Sequence, residues 1–202
     1  HYPLRRQRQM CIRDRYKFRE INIPGNGLDG VVDALNYLTA SNKVNFGDNV
    51  PSFTDGTLNA AGKRVVVIGG GDTAMDCVRT AIRQGAKSVK CMYRRDRDNM
   101  PGSQREVKNA EEEGVIFEWL TTPQGFTSDS KNKNVVTLGV DDGPVKGVIG
   151  RKMRLGAPDA TGRRVPEEIQ NSDYNEPADL VIKALGFEPE DLPTLWDQSE
   201  LP

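Results

Sequence analysis

The chain is poor in the residues that build metal centres and nucleophilic triads. Its 202 residues include one histidine, His1, and three cysteines, Cys11, Cys77 and Cys91, which are widely spaced and never paired as CxxC. Scattered cysteines of odd number argue against a disulfide framework and against a cysteine metal cluster, and one histidine argues against a protein-ligated zinc site. With His1 alone, no Ser-His-Asp or Cys-His arrangement is available. No catalytic side chain and no metal ligand is therefore expected. No apolar run approaches the roughly 18 to 20 residues that a membrane-spanning helix needs, and no apolar segment follows the N-terminal arginines as in an export signal. A cytoplasmic location without a membrane partner is expected. Charge of one sign is also missing: 28 Lys+Arg stand against 29 Asp+Glu, which gives no global reason to expect a nucleic-acid partner. Any anion site must be local.

What is present is an ordinary globular composition, with 36% hydrophobic residues, 20 glycines and 28% charged residues. The length suits one domain, or one domain with pieces of another. Residues 1–20 carry seven Lys or Arg and no sustained apolar period, and read as a disordered or non-native leader rather than a basic arm. From Gly27, the segment LDGVVDALNYL places Val31, Leu35 and Leu38 on one helical face, with Asp29 as a cap. Residues 41–62 have no steady period and read as a connection, with a boundary near Gly62. RVVVI, Arg64 to Ile68, reads as a strand buried on both faces. A helix follows from Asp72 to Gln84, with Asp72 as its cap, Met75, Val78, Ala81 and Ile82 inward, and Gly85 as its left-handed stop. SVKCMY, Ser88 to Tyr93, alternates as a second strand and completes a βαβ unit. Ser103 and Glu106 form a capping box for a polar helix that ends at Gly114. Val115 to Leu120 reads as a third strand, residues 122–170 as antiparallel hairpins, and Asp179 to Phe187 as a last apolar strand. Cys77 and Cys91 read as small core residues rather than redox groups.

Gly69, Gly71 and Ala74 form G-x-G-x-x-A between that first strand and helix. The first glycine permits the tight turn, the second lets backbone approach a pyrophosphate, and the alanine lets helix and strand pack closely. Helix N-terminal amides then favour the diphosphate. The competing reading is a turn whose glycines serve packing alone. At the end of the second strand, where an NAD or FAD site places a carboxylate for the ribose, this chain has Tyr93-Arg94-Arg95. A guanidinium pair suits a 2′-phosphate, which favours NADPH over NADH, FAD or S-adenosylmethionine. Arg97 is a weaker candidate, and the alternative is a basic surface pair. Thr73 offers a hydroxyl to phosphate, whereas the Asp72 carboxylate beside a diphosphate would repel it.

The segments GKRVVVIGGGDTAMDCVRTAIRQGAKSV, CMYRRDRDNMPGSQREVKNAEEEGVIFEW, GAPDATGRR, ADLVIKALGFEP and IPGNGLDGVVDALNYL cover most of Ile21 to Pro189. Through them the chain resembles the small (β) subunit family of NADPH-dependent glutamate synthase, among the two-dinucleotide flavoprotein oxidoreductases. The resemblance implies an α/β fold: a Rossmann-like NADP(H)-binding domain with a parallel sheet and an antiparallel meander crossover, flanked by partial FAD-domain segments. It implies that residues 21–62 are an FAD-domain remnant and connection, 63–185 the NADPH domain and 186–202 a return into the FAD domain. NADPH is expected on Gly69, Gly70, Gly71, Asp72, Thr73, Ala74, Tyr93, Arg94 and Arg95, with Ala184 and Gly186 on the return segment. In such enzymes a hydride passes from NADPH to FAD, and electrons pass through 4Fe-4S clusters to a large (α) subunit that makes glutamate. The cysteine-rich region and the FAD motifs of that family do not occur in this sequence, so a fragment inactive by itself is expected. Two other readings stay open. One is a related NADPH flavoprotein module serving ferredoxin or a pyrimidine reductase, and the other is a non-catalytic nucleotide-binding module.

Overall fold

The computed structural model describes residues 16–128, 143–158 and 164–189. They divide into two compact units, one of Ile21–Leu185 and one that joins the chain up to Glu20 with the chain from Gly186. In the second of these, β1 (Tyr16–Phe18) pairs antiparallel with the strand Phe187–Pro189.

The larger unit has three layers. Its central sheet holds five parallel strands, β2 (Val31–Asp33), β3 (Arg64–Ile68), β4 (Ser88–Tyr93), β5 (Ile116–Trp119) and β10 (Leu180–Lys183), in the order β2-β10-β3-β4-β5. Helices α1 (Ala34–Asn45), α3 (Asp72–Arg83) and α4 (Gln104–Glu112) supply one of its cores, with the short α2 (Pro51–Thr54) between α1 and β3. The other core faces an antiparallel sheet of β6 (Thr121–Ser128), β7 (Val145–Pro158), β8 (Arg164–Glu168) and β9 (Tyr174–Pro177), with β7 pairing all three of the others. The strand Phe187–Pro189 is β11.

Strand alternation explains why the sheet needs a cover on each side. Val65, Val67, Val89, Cys91, Leu180 and Ile182 belong to the helix-side core, while Val66, Ile68, Met92 and Val181 join Phe126, Val145 and Val148 of the antiparallel sheet. The βαβ unit forms as its periodicity predicts: Ala74, Met75, Cys77, Val78 and Ala81 are the buried face of α3, and Gly85 at φ +82° follows its end.

Three expectations are corrected. The segment from Gly27 is not one helix. Val31–Asp33 is a strand parallel to β10, α1 starts at Ala34 and runs to Asn45, and its buried face is Ala34, Tyr37, Ala40 and Ser41, leaving Leu35 45% exposed. Asp29 caps nothing; it bridges to Pro144 through its backbone. No boundary falls at Gly62, because β2 shares the sheet with β3, and Ala34, Tyr37 and Ala60 share its helix-side core. The third is the capping box: Ser103 is the N-cap of α4 without a side-chain cap bond, and Glu106 instead pairs with Arg79 of α3. The expected leader and the turns expected at TSDSKNKN, DDGP and GAPDATG lie in part or largely outside the described residues.

Candidate functional site

β3 is covered on both faces, so its chain leaves the sheet at the C-terminal edge, and Gly69, Gly70 and Gly71 turn it straight into α3. Each glycine answers a different demand. Gly69 has φ +145°, and a Cβ there would fall on the Ala184 carbonyl group, 2.8 Å from its carbon. Gly70 lies against the Tyr93 ring, where a Cβ would come within 2.5 Å of Cδ2. Gly71 is the N-cap of α3 with φ −94°, open to any residue, and a Cβ there would meet nothing within 4 Å. Packing alone thus demands Gly69 and Gly70 but not Gly71, at a position where Ser, Thr, Asp or Asn would cap the helix better. The Ala74 N–H closes back on Gly71 O at 2.9 Å, while the Asp72 and Thr73 amides at the start of α3 make no backbone hydrogen bond to a described residue. These are residues that could hold a diphosphate, and a Cβ at Gly71 would occupy part of the open space beside them.

The neighbours expected of the motif are distributed around it. Ala74 is fully buried on the sheet, as close helix-strand packing requires. The half-buried Thr73 makes no side-chain hydrogen bond to a described residue. Asp72 is not the helix cap: it is the first residue of α3, and its Oδ1 accepts the Ser103 backbone N–H at 3.0 Å. Ala184 donates its N–H to Ile68 O at 2.8 Å, so the return strand closes directly on the turn. Gly186, at φ +88°, belongs to the other compact unit.

Tyr93 ends β4 and donates its hydroxyl to Asn99 O at 3.2 Å. The two arginines that follow differ sharply. Arg94 is exposed and makes no hydrogen bond or ion pair to a described residue. Arg95 is only 9% exposed, and its Nε donates to the Arg164 carbonyl of β8 at 3.1 Å. Arg97 is held by Glu111, at 3.0 Å, and by Gln104. Cys77 and Cys91 are buried; burial pushes both thiols up, Cys91 to about 12, and the Cys91 thiol donates to Gly69 O at 3.4 Å. These are core groups, not redox groups.

One part of the site escaped sequence reasoning. The loop after Tyr93 comes back to the turn, where the Gly102 N–H donates to Gly70 O at 2.9 Å. Pro101-Gly102 marks a turn but not its partner. Among the described residues, no group of three or more His, Cys, Asp or Glu is placed to hold a metal, and no helix is long and apolar enough to cross a membrane.

The sequence pattern of the family described as pyridine nucleotide-disulphide oxidoreductase matches residues 17–201. The chain belongs to that family. It is 61% identical over 92% of its length to the glutamate synthase (NADPH) small chain of Azospirillum brasilense, and 47% identical over 85% to that of Escherichia coli K12. It spans about a third of each, 36% and 34%. It is also 42% identical over 67% of its length to the NADPH-Fe(3+) oxidoreductase subunit beta of Geobacter sulfurreducens, covering 18% of that protein. Among solved structures, a thioredoxin reductase of T. acidophilum matches with a TM-score of 0.51 at 16% identity, over 87% of this chain and 43% of that one. A chain of the covalent putidaredoxin reductase-putidaredoxin complex is similar, with a TM-score of 0.53 at 16% identity, over 93% of this chain and 36% of that one. Those likenesses carry the fold, an α/β architecture with a parallel sheet and an antiparallel sheet.

Proposed function

We propose that this chain is the NADPH-binding part of a flavoprotein oxidoreductase of the glutamate synthase small-subunit type. The observation that carries the reading is Gly71, a glycine that neither φ nor packing requires, at the start of a helix with open space beside it. The Gly69–Gly71 turn and the first amides of α3 hold the diphosphate, and the Thr73 hydroxyl donates to it. Arg94, exposed and uncommitted, reads the 2′-phosphate; Arg95, committed to β8, supports the wall behind it. This separates two residues that the sequence left as an equivalent pair. Bound there, NADPH supplies hydride chemistry, and the residues of this chain orient it and set its selectivity.

In the longer protein the acceptor is FAD, and electrons pass through 4Fe-4S clusters to the glutamate synthase large subunit, in glutamate biosynthesis. Ala184 and Gly186 lie on the segment that leads from the nucleotide domain to the flavin domain. A second reading keeps the same donor and changes the acceptor. The relatives' names support it, since NADPH is common to them while one of them adds Fe(3+) as acceptor. Titration of the chain with NADPH and NADH, followed by cofactor fluorescence or calorimetry, tests the shared part. Preferential NADPH binding is expected; equal affinity for both, or binding of neither by folded chain, overturns it.

A further inference from the structure

We propose that Asp72 is a positioning residue: its carboxylate holds the loop that carries Arg94 onto the glycine turn, and so sets the preference for a 2′-phosphorylated nucleotide. The proposal rests on reading the turn as an NADPH site. The loop leaves the sheet at Tyr93, whose ring lies on Gly70, and returns at Gly102 and Ser103. The return is close. The Gly102 N–H reaches Gly70 O at 2.9 Å, and a Cβ on Gly102 would stand 3.1 Å from that oxygen and 3.4 Å from the Gly71 carbonyl carbon. Beside it, Asp72 Oδ1 takes the Ser103 N–H at 3.0 Å.

Between these feet the loop is braced internally. Asp96 Oδ1 accepts the Asn99 backbone N–H at 3.0 Å and its side-chain amide at 2.6 Å, and Gln104 Nε2 donates to Arg97 O at 2.9 Å. Met100 is buried beneath it. A braced loop fixed at both feet presents Arg94 from a defined base, and Asp72 is the one side chain on the turn that holds the far foot. The arrangement also accounts for a carboxylate beside a diphosphate cradle. Ser103 is the N-cap of α4, so Asp72 is drawn to the start of that helix, where negative charge is stabilised.

The test compares Asp72→Ala, which removes the acceptor, with Asp72→Asn, which keeps one. Ser103→Pro is a third variant, removing the donated N–H at a residue whose φ of −59° proline adopts. Each is titrated with NADPH and NADH after circular dichroism confirms folding, and amide exchange at Gly102 and Ser103 is followed without nucleotide. Expected are faster exchange at Gly102 in Asp72→Ala and Ser103→Pro, and NADPH binding weakened by about tenfold in both, with NADH changed less than about twofold. Asp72→Asn stays within about threefold of the parent for both nucleotides. Equal losses for NADPH and NADH, unchanged exchange, or an Asp72→Asn variant as impaired as Asp72→Ala, in a parent chain that prefers NADPH, overturns the positioning role alone. A folded parent chain without NADPH preference overturns the cofactor reading, and this proposal with it.

Discussion

The two sheets of the larger unit are held by different physics. In the parallel sheet, Val65, Val66 and Val67 of β3, Val89 and Cys91 of β4, and Leu180, Val181 and Ile182 of β10 are all essentially inaccessible, and cohesion comes from apolar burial on both faces. In the antiparallel sheet charged pairs run between β7 and its neighbours. Arg151 pairs with Glu168 at 2.7 Å and Asp173 at 2.6 Å, Arg154 pairs with Glu167 at 3.0 Å, and Val165 is left 44% exposed. The seam between them is mixed: Lys90 of β4 reaches Glu176 of β9 at 2.8 Å, and Lys152 of β7 reaches Glu118 of β5 at 3.2 Å. Burial pushes the Glu118 carboxyl up, but Lys152 and Lys90 outweigh it and hold it below its usual range. The difference teaches that the glycine turn is fixed by the apolar sheet, whose Met92 and Ala184 ends close on it, while the antiparallel sheet is held in larger part by charge.

The largest effect should come from Gly69→Ala, where a Cβ meets the Ala184 carbonyl in a backbone conformation alanine resists. A loss of about 3 kcal/mol or more in urea unfolding is expected. Gly71→Ala, two residues along, should cost about 1 kcal/mol or less in stability, yet weaken NADPH and NADH alike. If both variants unfold equally, the distinction between packing glycine and ligand glycine fails. Arg94→Ala should lose about 1.5 to 3 kcal/mol of NADPH binding with little change for NADH. Arg95→Ala should instead lower the melting temperature, and the reverse pattern would exchange their roles.

A smaller effect lies where the return strand begins. Arg64 donates through its backbone N–H and its guanidinium to Asp179, at 2.9, 2.9 and 2.6 Å, and those side-chain bonds hold the Asp179 carboxyl down at about 2 from 3.8. A carboxyl depressed by folding contributes stability that is present above 3.8 and lost as the pH falls through about 2. Unfolding free energy should therefore decline with acid across that window, and Asp179→Asn should flatten the decline. The pair is a third exposed, so solvent screening keeps the loss at neutral pH to about 1 to 2 kcal/mol. Smallest of all, Arg151→Ala should leave the melting midpoint nearly unchanged, because its pairs face water.

Much of this was legible in the sequence where cause and effect are close along the chain. The β3 valines, the three glycines and the α3 stripe specify the βαβ unit within thirty residues, and local periodicity reports it. β2 was not legible, since three residues carry no period and its partner β10 lies at the other end of the unit. Nor was Gln84, whose Oε1 accepts from both Tyr37 Oη and the Ala60 N–H, and whose amide donates to Ser41 Oγ. Such a residue has no neighbour in sequence to announce it. Arg94 and Arg95 looked equivalent because composition does not say which side of a strand end faces the wall.

The Arg64–Asp179 contact joins residues 115 apart, and the same strand pairing sets Ile68 beside Lys183. On the ribosome, β3 emerges long before β10. Until then one edge of the apolar run Val65–Ile68 has its ladder groups unmet, and β4 can protect only the opposite edge. The nascent chain thus passes through a stage in which a strand buried in the finished fold is an exposed, sticky one. Chaperone capture at that stage, or aggregation when translation stalls before residue 180, is the cost of threading a whole meander between two neighbouring strands.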